Sequence, residues 1–255
     1  EMLFLDEVMA GLDDENWKCV RGVINELKKT YGVRVFTVDH HDFDADVTPD
    51  LLADLGDNLK NCHFLLETGA THRLLDQLES RALDVVVAAN MGPISEAIEA
   101  HPLLVEPFFV AAPKGVTSDR NLKQYMQHAP HIHYSDRYHM GRLLTDHLAR
   151  ENIKTGYRFQ LDSYLAIMAM VARVAGWALL TPLGWRRASR FMDQVDVFKF
   201  PFATLSREIH LTARRDVLGD LPKQVAQSLR PKIQSAIVDP TKKALPWLGD
   251  SFRVL

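Results

Sequence analysis

The chain alternates between segments with two kinds of hydrophobic spacing. Runs of four to eight apolar or alternating residues predict strands, and apolar residues three or four positions apart predict helices. Strands are predicted at 33–38, 63–66, 83–89, 108–112, 131–135, 157–161, 177–180, 195–200 and 209–213, and helices at 14–31, from Thr48, at 71–79, 140–151, 164–173 and 221–237. Because strands and helices alternate, the sequence predicts an α/β fold with mainly parallel sheets.

Proline and glycine mark several boundaries of these elements. Thr48, Pro49 and Asp50 form a helix start, with a capping hydroxyl, a proline at the first helical position and an acid in the first turn. Pro231 is expected to kink or split the last helix. The prolines and glycine of residues 239–255 predict a loose tail.

Composition places the chain among globular proteins. Its 255 residues, 47% of them hydrophobic, suit one large domain or two modest lobes and exclude a disordered or collagen-like chain. The longest uncharged apolar stretch, residues 163–172, has about half the length of a membrane span. Without a membrane span, a visible secretory signal or enough cysteines for a disulfide framework, we expect a cytoplasmic protein with no membrane partner.

The charge is unevenly distributed. Residues 1–100 carry 20 Asp and Glu against 8 Lys and Arg, and residues 101–255 carry 13 against 22. An acidic first half disfavours a nucleic-acid surface there. The basic residues of the second half are scattered rather than arranged in a stripe, so solvated faces explain them.

The histidines are the candidate metal ligands and catalytic residues of the chain. The run Asp-His-His-Asp at 39–42 has the residue types of a metal site, but the upstream aspartates that a manganese phosphoesterase would supply are missing. His131 and His133 share one face of a predicted strand, for which a polar face is the simpler interpretation. Glycine-rich phosphate loops and nucleophile motifs do not occur. We therefore expect no metal, no cofactor and no enzyme activity.

Six stretches, taken in order, carry a resemblance to a known family. They include FLLETGATHRLLDQLESRALDVVVA, with a Gly–small–Thr turn between strand and helix, and REIHLTARRD before the last helix. The others lie at 35–55, 106–115, 131–153 and 159–185. From about 33 to 238 the chain resembles the effector-binding domain of LysR-type transcriptional regulators, which has the two-lobe type 2 periplasmic-binding-protein fold.

The resemblance implies a division into lobes. Lobe I comprises 33–112 and 206–238, lobe II comprises 113–205, and the tail comprises 239–255. A small effector is expected to bind between the lobes, beyond the carboxyl ends of the strands. The resemblance also implies a homo-oligomer, a dimer or tetramer, that reaches DNA only through a separate N-terminal domain.

The ligand-binding positions are carried over from the family's cleft. Those of lobe I follow three strands, and those of lobe II follow two. They are Asp39, His40, Gly69, Ala70, Thr71 and Asn90 in lobe I, and Ser135, Asp136, Asp162 and Ser163 in lobe II. A hydroxyl at Thr71 on a helix N-terminus suits a carboxylate effector, although a plain helix cap explains it equally well.

Two positions depart from the family pattern. Arg81 stands where the family usually has a helix-ending glycine, and Val174 replaces the first glycine of a Gly-x-Gly. Both departures indicate a divergent member, and Val174 is expected to crowd the lining of the cleft.

Residues 1–40 resemble a different family, the ABC-transporter ATPases of the branched-chain amino-acid type. The run MLFLDE resembles a Walker B strand, Gly11-Leu12-Asp13 a D-loop, and His40 the H-loop histidine. The resemblance implies that Asp6 holds Mg²⁺ and Glu7 polarises water, although the phosphate-binding loop is missing. The alternative interpretation of 1–32 is the linker helix that precedes a LysR-type effector domain.

These observations predict a sensor rather than an enzyme. The expected function is small-molecule effector binding in a LysR-type regulator. The alternatives are a fragment of an ATP-hydrolysing transporter subunit fused to this domain and a free-standing solute-binding protein.

Overall fold

The computed structural model describes residues 34–38, 47, 49–51, 53, 64–92, 95–153 and 157–255, with the backbone alone at 34–38, 64–68 and 157. The helix predicted at 14–31, most of the helix predicted from Thr48, and Asp39 and His40 lie outside the described residues.

The described elements follow the predicted alternation of strands and helices. The strands are β1 Arg34–Val38, β2 Phe64–Thr68, β3 Val85–Ala89, β4 Ile98–Pro107, β5 Phe109–Pro113, β6 His131–Tyr134, β7 Tyr157–Leu161, β8 Ala178–Leu180, β9 Val195–Lys199, β10 Ser206–Arg214 and β11 Arg253–Val254. The α-helices are α1 Thr71–Glu79, α2 Leu122–His128, α3 His139–Arg150, α4 Tyr164–Val174, α5 Pro182–Arg187, α6 Leu221–Ile233 and α7 Asp239–Ala244. Short 3-10 helices cover Ser189–Gln194 and Pro246–Ser251.

The strands form three sheets, and among them only the six-stranded sheet contains both parallel and antiparallel pairs. Six strands pair in the order β11-β4-β10-β3-β1-β2, three in the order β8-β5-β9, and β6 pairs with β7. Strand β1 is parallel to β2 and β3, and β6 is parallel to β7. Strand β10 is antiparallel to β3, and β5 is antiparallel to both its neighbours. The α/β class is therefore confirmed, but the strand pairs run in both directions rather than being mainly parallel.

The chain divides into two compact units. Unit 1 contains the described residues up to Leu104, together with Glu208–Ala236 and Val254–Leu255, and unit 2 contains Val105–Arg207 and Ile237–Arg253. The chain passes from one unit to the other within β4 and within β10, and twice more, after Ala236 and after Arg253.

Unit 1 has its core between α1 and the sheet. Leu74 and Leu78 of α1 pack with Val86 and Ala88 of β3. The next residues after α1 are fixed by Arg214, whose Nη1 donates to the Leu78 and Leu83 carbonyls at 2.8 and 2.6 Å. These bonds tie the last turn of α1 and the segment that leads into β3 to the end of β10.

Unit 2 has a core built from strands, connecting segments and the two helices α2 and α3. Its buried members are Phe108, Val110, Leu122, Met126, Leu144, Leu148, Trp177, Leu179, Phe200 and Leu205. The Trp177 indole N–H donates to the Met126 carbonyl at 3.1 Å, so this large side chain is buried without losing its polar contact.

A buried ion pair also lies in unit 2. Arg207 Nε donates to Glu106 Oε1 at 2.6 Å, and Glu106 Oε2 accepts the Leu183 N–H at 3.1 Å. Glu106 is fully buried and Arg207 nearly so. Because each charge is compensated by the other, removal of either partner alone is expected to be strongly destabilising.

The last residues are not the loose tail that the sequence predicts. Leu248 and Phe252 are buried, and the Trp247 ring meets the Phe109 ring edge to face, with centroids 5.6 Å apart. The Leu255 N–H donates to the Leu103 carbonyl at 3.0 Å, beside the pairing of β11 with β4. The prolines shape helix starts here instead of loosening the chain.

Pro231 lies inside α6, which continues to Ile233 and passes into a π-helical turn at Gln234–Val238. The π-helical turn thus begins three residues after Pro231, which has no backbone N–H to donate. None of the helices in the described part of the chain is long and apolar enough to cross a membrane.

Candidate functional site

The carboxyl ends of β6 and β7 bring together two of the predicted turns. Tyr134 of β6 is in register with Leu161 of β7, and the Ser135 N–H donates to the Leu161 carbonyl at 2.7 Å. Ser135 and Asp136 therefore lie beside Asp162 and Ser163. Asp162 is exposed, and the other three are partly buried.

Asp136 is held by donors from three elements. Its Oδ1 accepts the Thr145 hydroxyl of α3 at 2.7 Å and lies 3.0 Å from His133 Nε2 of β6. Its Oδ2 accepts the Gln160 amide of β7 at 2.9 Å. The His133 side chain is 1% exposed and the Asp136 side chain 33% exposed. The three donors thus hold the carboxylate in place, and part of the Asp136 side chain remains exposed to solvent.

The same distances determine which nitrogen of His133 carries a proton. Thr145 Oγ1 lies 2.9 Å from His133 Nε2, and the threonine gives its only proton to Asp136. Since an ionised carboxylate only accepts, Nε2 must be the donor to both oxygens. In a nucleophile–base–acid relay the acid and the hydroxyl occupy opposite ring nitrogens. Here both occupy Nε2, so the cluster has no such relay.

His131 lies below this cluster and stacks on Trp177, with ring centroids 4.1 Å apart. Its side chain is 2% exposed. The pKa of the His131 imidazole is lowered from 6.5 to about 3, mainly by burial and also by the His133 ring, while Asp136 opposes the shift. The interpretation of His131 and His133 as a polar strand face is therefore wrong: both rings are packed inside unit 2.

The turn between β6 and α3 packs closely against the first turn of α3, at Gly141. A Cβ atom at Gly141 would lie 2.2 Å from the Ser135 carbonyl oxygen and 2.5 Å from that of Tyr134. Only glycine allows this approach. Arg142 Nη1 also donates to the main-chain carbonyls of Asp136 and Arg137, at 3.0 and 3.1 Å. The Asp136 backbone is therefore held by contacts of its own, in addition to those of its side chain.

Helices α3 and α4 begin directly after these turns. The residues that precede them, Tyr138 and Ser163, form no side-chain capping hydrogen bond with the residues described. By contrast, Thr181 caps α5 by accepting the Gly184 N–H at 3.3 Å. The starts of α3 and α4 therefore have backbone donors that their own caps do not use.

Unit 1 has a comparable edge. Val38 at the end of β1 pairs with Thr68 at the end of β2 and with Val87 near the end of β3. The turn at 69–71 and Asn90 consequently lie at the same edge, on either side of β1. The Asn90 N–H donates to the Glu208 carbonyl at 2.8 Å, and Asn90 Oδ1 accepts the Gly92 N–H at 3.0 Å.

Thr71 is the first residue of α1, and Ala70 is its N-cap residue. The interpretation of Thr71 as a plain helix cap is therefore wrong, because the capping position lies one residue earlier. The Leu74 N–H instead donates to the Ala70 carbonyl at 3.1 Å.

Beside Asn90 lies a histidine–carboxylate pair that the sequence did not indicate. His210 Nε2 of β10 lies 2.8 Å from Glu208 Oε2, with side chains 9% and 47% exposed. His210 is in register with Ala88, on the face of the sheet that packs against α1. Strand alternation was the one available signal, since Glu208, His210 and Thr212 are two residues apart.

Across the part of the chain that the structure describes, no group of three or more His, Cys, Asp or Glu side chains is arranged to hold a metal ion. Val174, expected to crowd the lining of a cleft, is the last residue of α4, and the left-handed backbone falls on Ala175, with a φ of 51°. Arg81 has a φ of 66°, the conformation that favours the glycine usual at this position in the family.

Solved structures of three regulatory domains share this fold. A reduced form of OxyR from N. meningitidis is 18% identical, with a TM-score of 0.60, over 88% of this chain and 98% of that one. The effector-binding domain of QuiR in complex with shikimate is 16% identical, with a TM-score of 0.61, over 82% and 99%. The regulatory domain of MexT from Pseudomonas aeruginosa is 14% identical, with a TM-score of 0.61, over 80% and 100%.

No curated protein matches the chain significantly. The resemblance of residues 1–40 to an ABC-transporter ATPase finds no support in these comparisons. The model of the LysR substrate binding domain matches residues 38–232, which is more than half of the chain. The chain therefore belongs to the LysR substrate-binding domain family and is an effector-binding regulatory domain of the LysR-type transcriptional regulators.

Proposed function

We propose that this domain senses a small-molecule effector and catalyses no reaction of its own. The observation that supports the proposal most is the placement of the predicted turns. In each unit, polar turns lie at the carboxyl ends of adjacent parallel strands, where open α/β sheets bind ligands. The shared ring nitrogen of His133 argues against the nucleophile–histidine–acid relay that a serine-type hydrolase would need.

Unit 1 acts as effector lobe I and unit 2 as effector lobe II. Lobe I contributes Gly69, Ala70, Thr71 and Asn90, together with Asp39 and His40 from the sequence-based assignment. Lobe II contributes Ser135, Asp136, Asp162 and Ser163. Effector binding shifts the populations of conformations of the domain, and the shift is transmitted to an attached DNA-binding domain within a cytoplasmic homo-oligomer.

A carboxylate is the effector group that suits lobe I. The N-terminus of α1 offers backbone N–H groups and the positive end of a helix dipole. QuiR provides a precedent, because its effector-binding domain was solved with shikimate, a carboxylate that also carries hydroxyl groups.

Thermal unfolding with a panel of small carboxylates tests the proposal. A carboxylate that binds should raise the melting temperature, and Thr71→Ala should weaken the effect by about threefold to tenfold in affinity. Ser80→Ala, at the other end of the same helix, is the control and should leave the affinity unchanged. If no carboxylate stabilises the protein, or if both variants behave alike, the proposed site is wrong.

A further inference from the structure

A methionine at the start of α3 contacts the buried ion pair of unit 2. Met140 is the second residue of α3, and its Sδ lies 3.9 Å from Nη1 of Arg207. Arg207 binds Glu106 through Nε and Nη2, and neither side chain has more than 5% of its surface exposed. Met140 packs against the core of unit 2 but is only partly buried. Its sulfur therefore lies beside a fixed guanidinium, at a residue that solvent still reaches.

The surroundings of Met140 are positively charged. The N-terminus of a helix is the positive end of its dipole, and Tyr138, which precedes α3, forms no side-chain capping hydrogen bond with the residues described. The pKa of the adjacent His139 is lowered mainly by burial and also by the charges of Arg142 and Arg207. Negative charge that develops on an atom beside Met140 is therefore stabilised.

The contact between Met140 and Arg207 leaves room for one oxygen atom. A thioether sulfur is a weak hydrogen-bond acceptor, whereas oxidation to the sulfoxide makes this side chain polar. An oxygen atom bound to Sδ and directed at Nη1 would lie at hydrogen-bonding distance from that nitrogen, since the sulfur and the nitrogen are 3.9 Å apart. Because Glu106 is held by Nε and Nη2, Arg207 can bind this oxygen and keep its ion pair.

We propose that Met140 is an oxidation site of the protein, where a hydroperoxide converts the thioether to a sulfoxide whose oxygen accepts a hydrogen bond from Arg207. The sulfur attacks the terminal oxygen of the peroxide, so that an S–O bond forms as the O–O bond breaks. The other oxygen leaves with the bonding electron pair and takes the proton of the transferred oxygen, which releases water or an alcohol. Sulfur is oxidised by two electrons, and the peroxide is reduced by two. Arg207 stays protonated and stabilises the departing oxygen.

Other methionines of unit 2 are matched controls. Met170 of α4 and Met192 of the 3-10 helix are also partly buried, but no hydrogen-bond donor among the described residues reaches their sulfur atoms. Exposure alone would therefore group Met140 with these two, and the arginine contact separates it from them. Met126 and Met168 are 2% and 0% exposed and should react only when the protein unfolds, so their lack of reaction shows that the chain remains folded.

The experiment treats the full chain with hydrogen peroxide at neutral pH and follows each methionine by peptide mass spectrometry. In the folded protein, Met140 should gain oxygen about fivefold faster than Met170 and Met192, because a charged hydrogen bond to the departing oxygen forms as the O–O bond breaks. In urea, where the contact with Arg207 is lost, the three rates should become equal.

A double variant isolates the effect of the guanidinium. Glu106→Gln with Arg207→Leu removes both buried charges together, which leaves neither one unpaired, and keeps a side-chain oxygen for the Leu183 N–H. In the folded double variant, Met140 should react at the rate of Met170. Equal rates in the folded original protein would overturn the proposal, as would a faster reaction of Met140 that persists in urea or in the double variant. Thermal unfolding checks that the variant is folded, and if it is not, the original protein with and without urea decides.

Discussion

The two edges that carry the candidate site are built differently. At the unit 2 edge, Asp136 is tied to β6, α3 and β7 by side-chain hydrogen bonds. At the unit 1 edge, the Glu208–His210 pair lies within β10, and Asn90 joins it through the backbone. A network across three elements resists rearrangement more than a pair within one strand, because several contacts must break together. Unit 2 therefore presents a preorganised polar group, and unit 1 presents a more adaptable one.

Gly141→Ala, at the unit 2 edge, should cause the largest loss of stability. The added Cβ meets backbone atoms that cannot move aside, so α3 must shift from the 135–138 turn, at a cost of about 3 kcal/mol in the free energy of unfolding. Gly69→Ala at the unit 1 edge meets only the Leu74 side chain, at 3.3 Å, and should cost less than about 1 kcal/mol. Denaturant unfolding of both variants checks the difference, and equal losses would contradict the comparison.

A pH titration of stability should reveal His131 in unit 2. Its folded pKa of about 3 lies below its unfolded value of 6.5. Above pH 6.5 both states hold a neutral ring and the stability is fully present. As the pH falls toward 3, the unfolded state gains a proton that the folded state excludes, so stability is lost at up to about 1.4 kcal/mol per pH unit.

His131→Phe keeps a ring against Trp177 and removes the titration. As the pH falls below 6.5, the original protein should therefore lose stability relative to this variant. His72→Gln, an exposed position on α1, is the control and should show the original pH profile. A constant difference between His131→Phe and the original protein would show that His131 is not buried in its neutral form.

Thr145→Val tests whether the contacts of Asp136 contribute more to stability than the contacts of Glu208. It removes the hydroxyl that donates to Asp136 and accepts from His133, at an expected cost of about 1–2 kcal/mol. Glu208→Gln affects a half-exposed pair and should cost less than about 1 kcal/mol. A double-mutant cycle of Thr145→Val with Asp136→Asn measures the coupling, and additive losses would mean that unit 2 has no network.

The smallest effects concern the left-handed residues, for which we expect no difference between the units. Arg81→Gly in unit 1 and Ala175→Gly in unit 2 should each raise stability by about 0.5–1 kcal/mol, because glycine adopts a positive φ without strain. Asn152→Gly is the control with a smaller gain, since asparagine tolerates this conformation better. Thermal unfolding measures all three, and a loss at Ala175 would indicate that its methyl group is needed for packing.

Hydrophobic spacing predicted the elements that have a clear period. Helix α1 and strand β7 begin and end at the predicted residues, and α3 is displaced by one residue. Strand β4 was missed because Pro102 and Pro107 interrupt it and proline disfavours a strand. The seven-residue α2 and six-residue α5 are too short to show a helical period.

The candidate site also contains residues that could be predicted from the sequence and contacts that could not. Residues that follow a strand, such as Asn90 and Ser135, could be named because the family resemblance assigns the turns after the strands to the ligand-binding cleft. The partners of Asp136 could not, since Thr145 and Gln160 are 9 and 24 positions away and their contacts depend on how α3 and β7 pack. Burial of His131 and His133 was equally hidden, because an alternating strand does not reveal which face is covered.

Strand β11 has a consequence for how the six-stranded sheet meets other molecules. A strand at the border of a sheet offers unpaired N–H and C=O groups on which a second chain can add. Strand β11 occupies that border beside β4, is only two residues long and carries the exposed charge of Arg253. A short, charged border strand is a poor template for another strand. Strand β11 thus disfavours edge-to-edge aggregation at this border of the sheet.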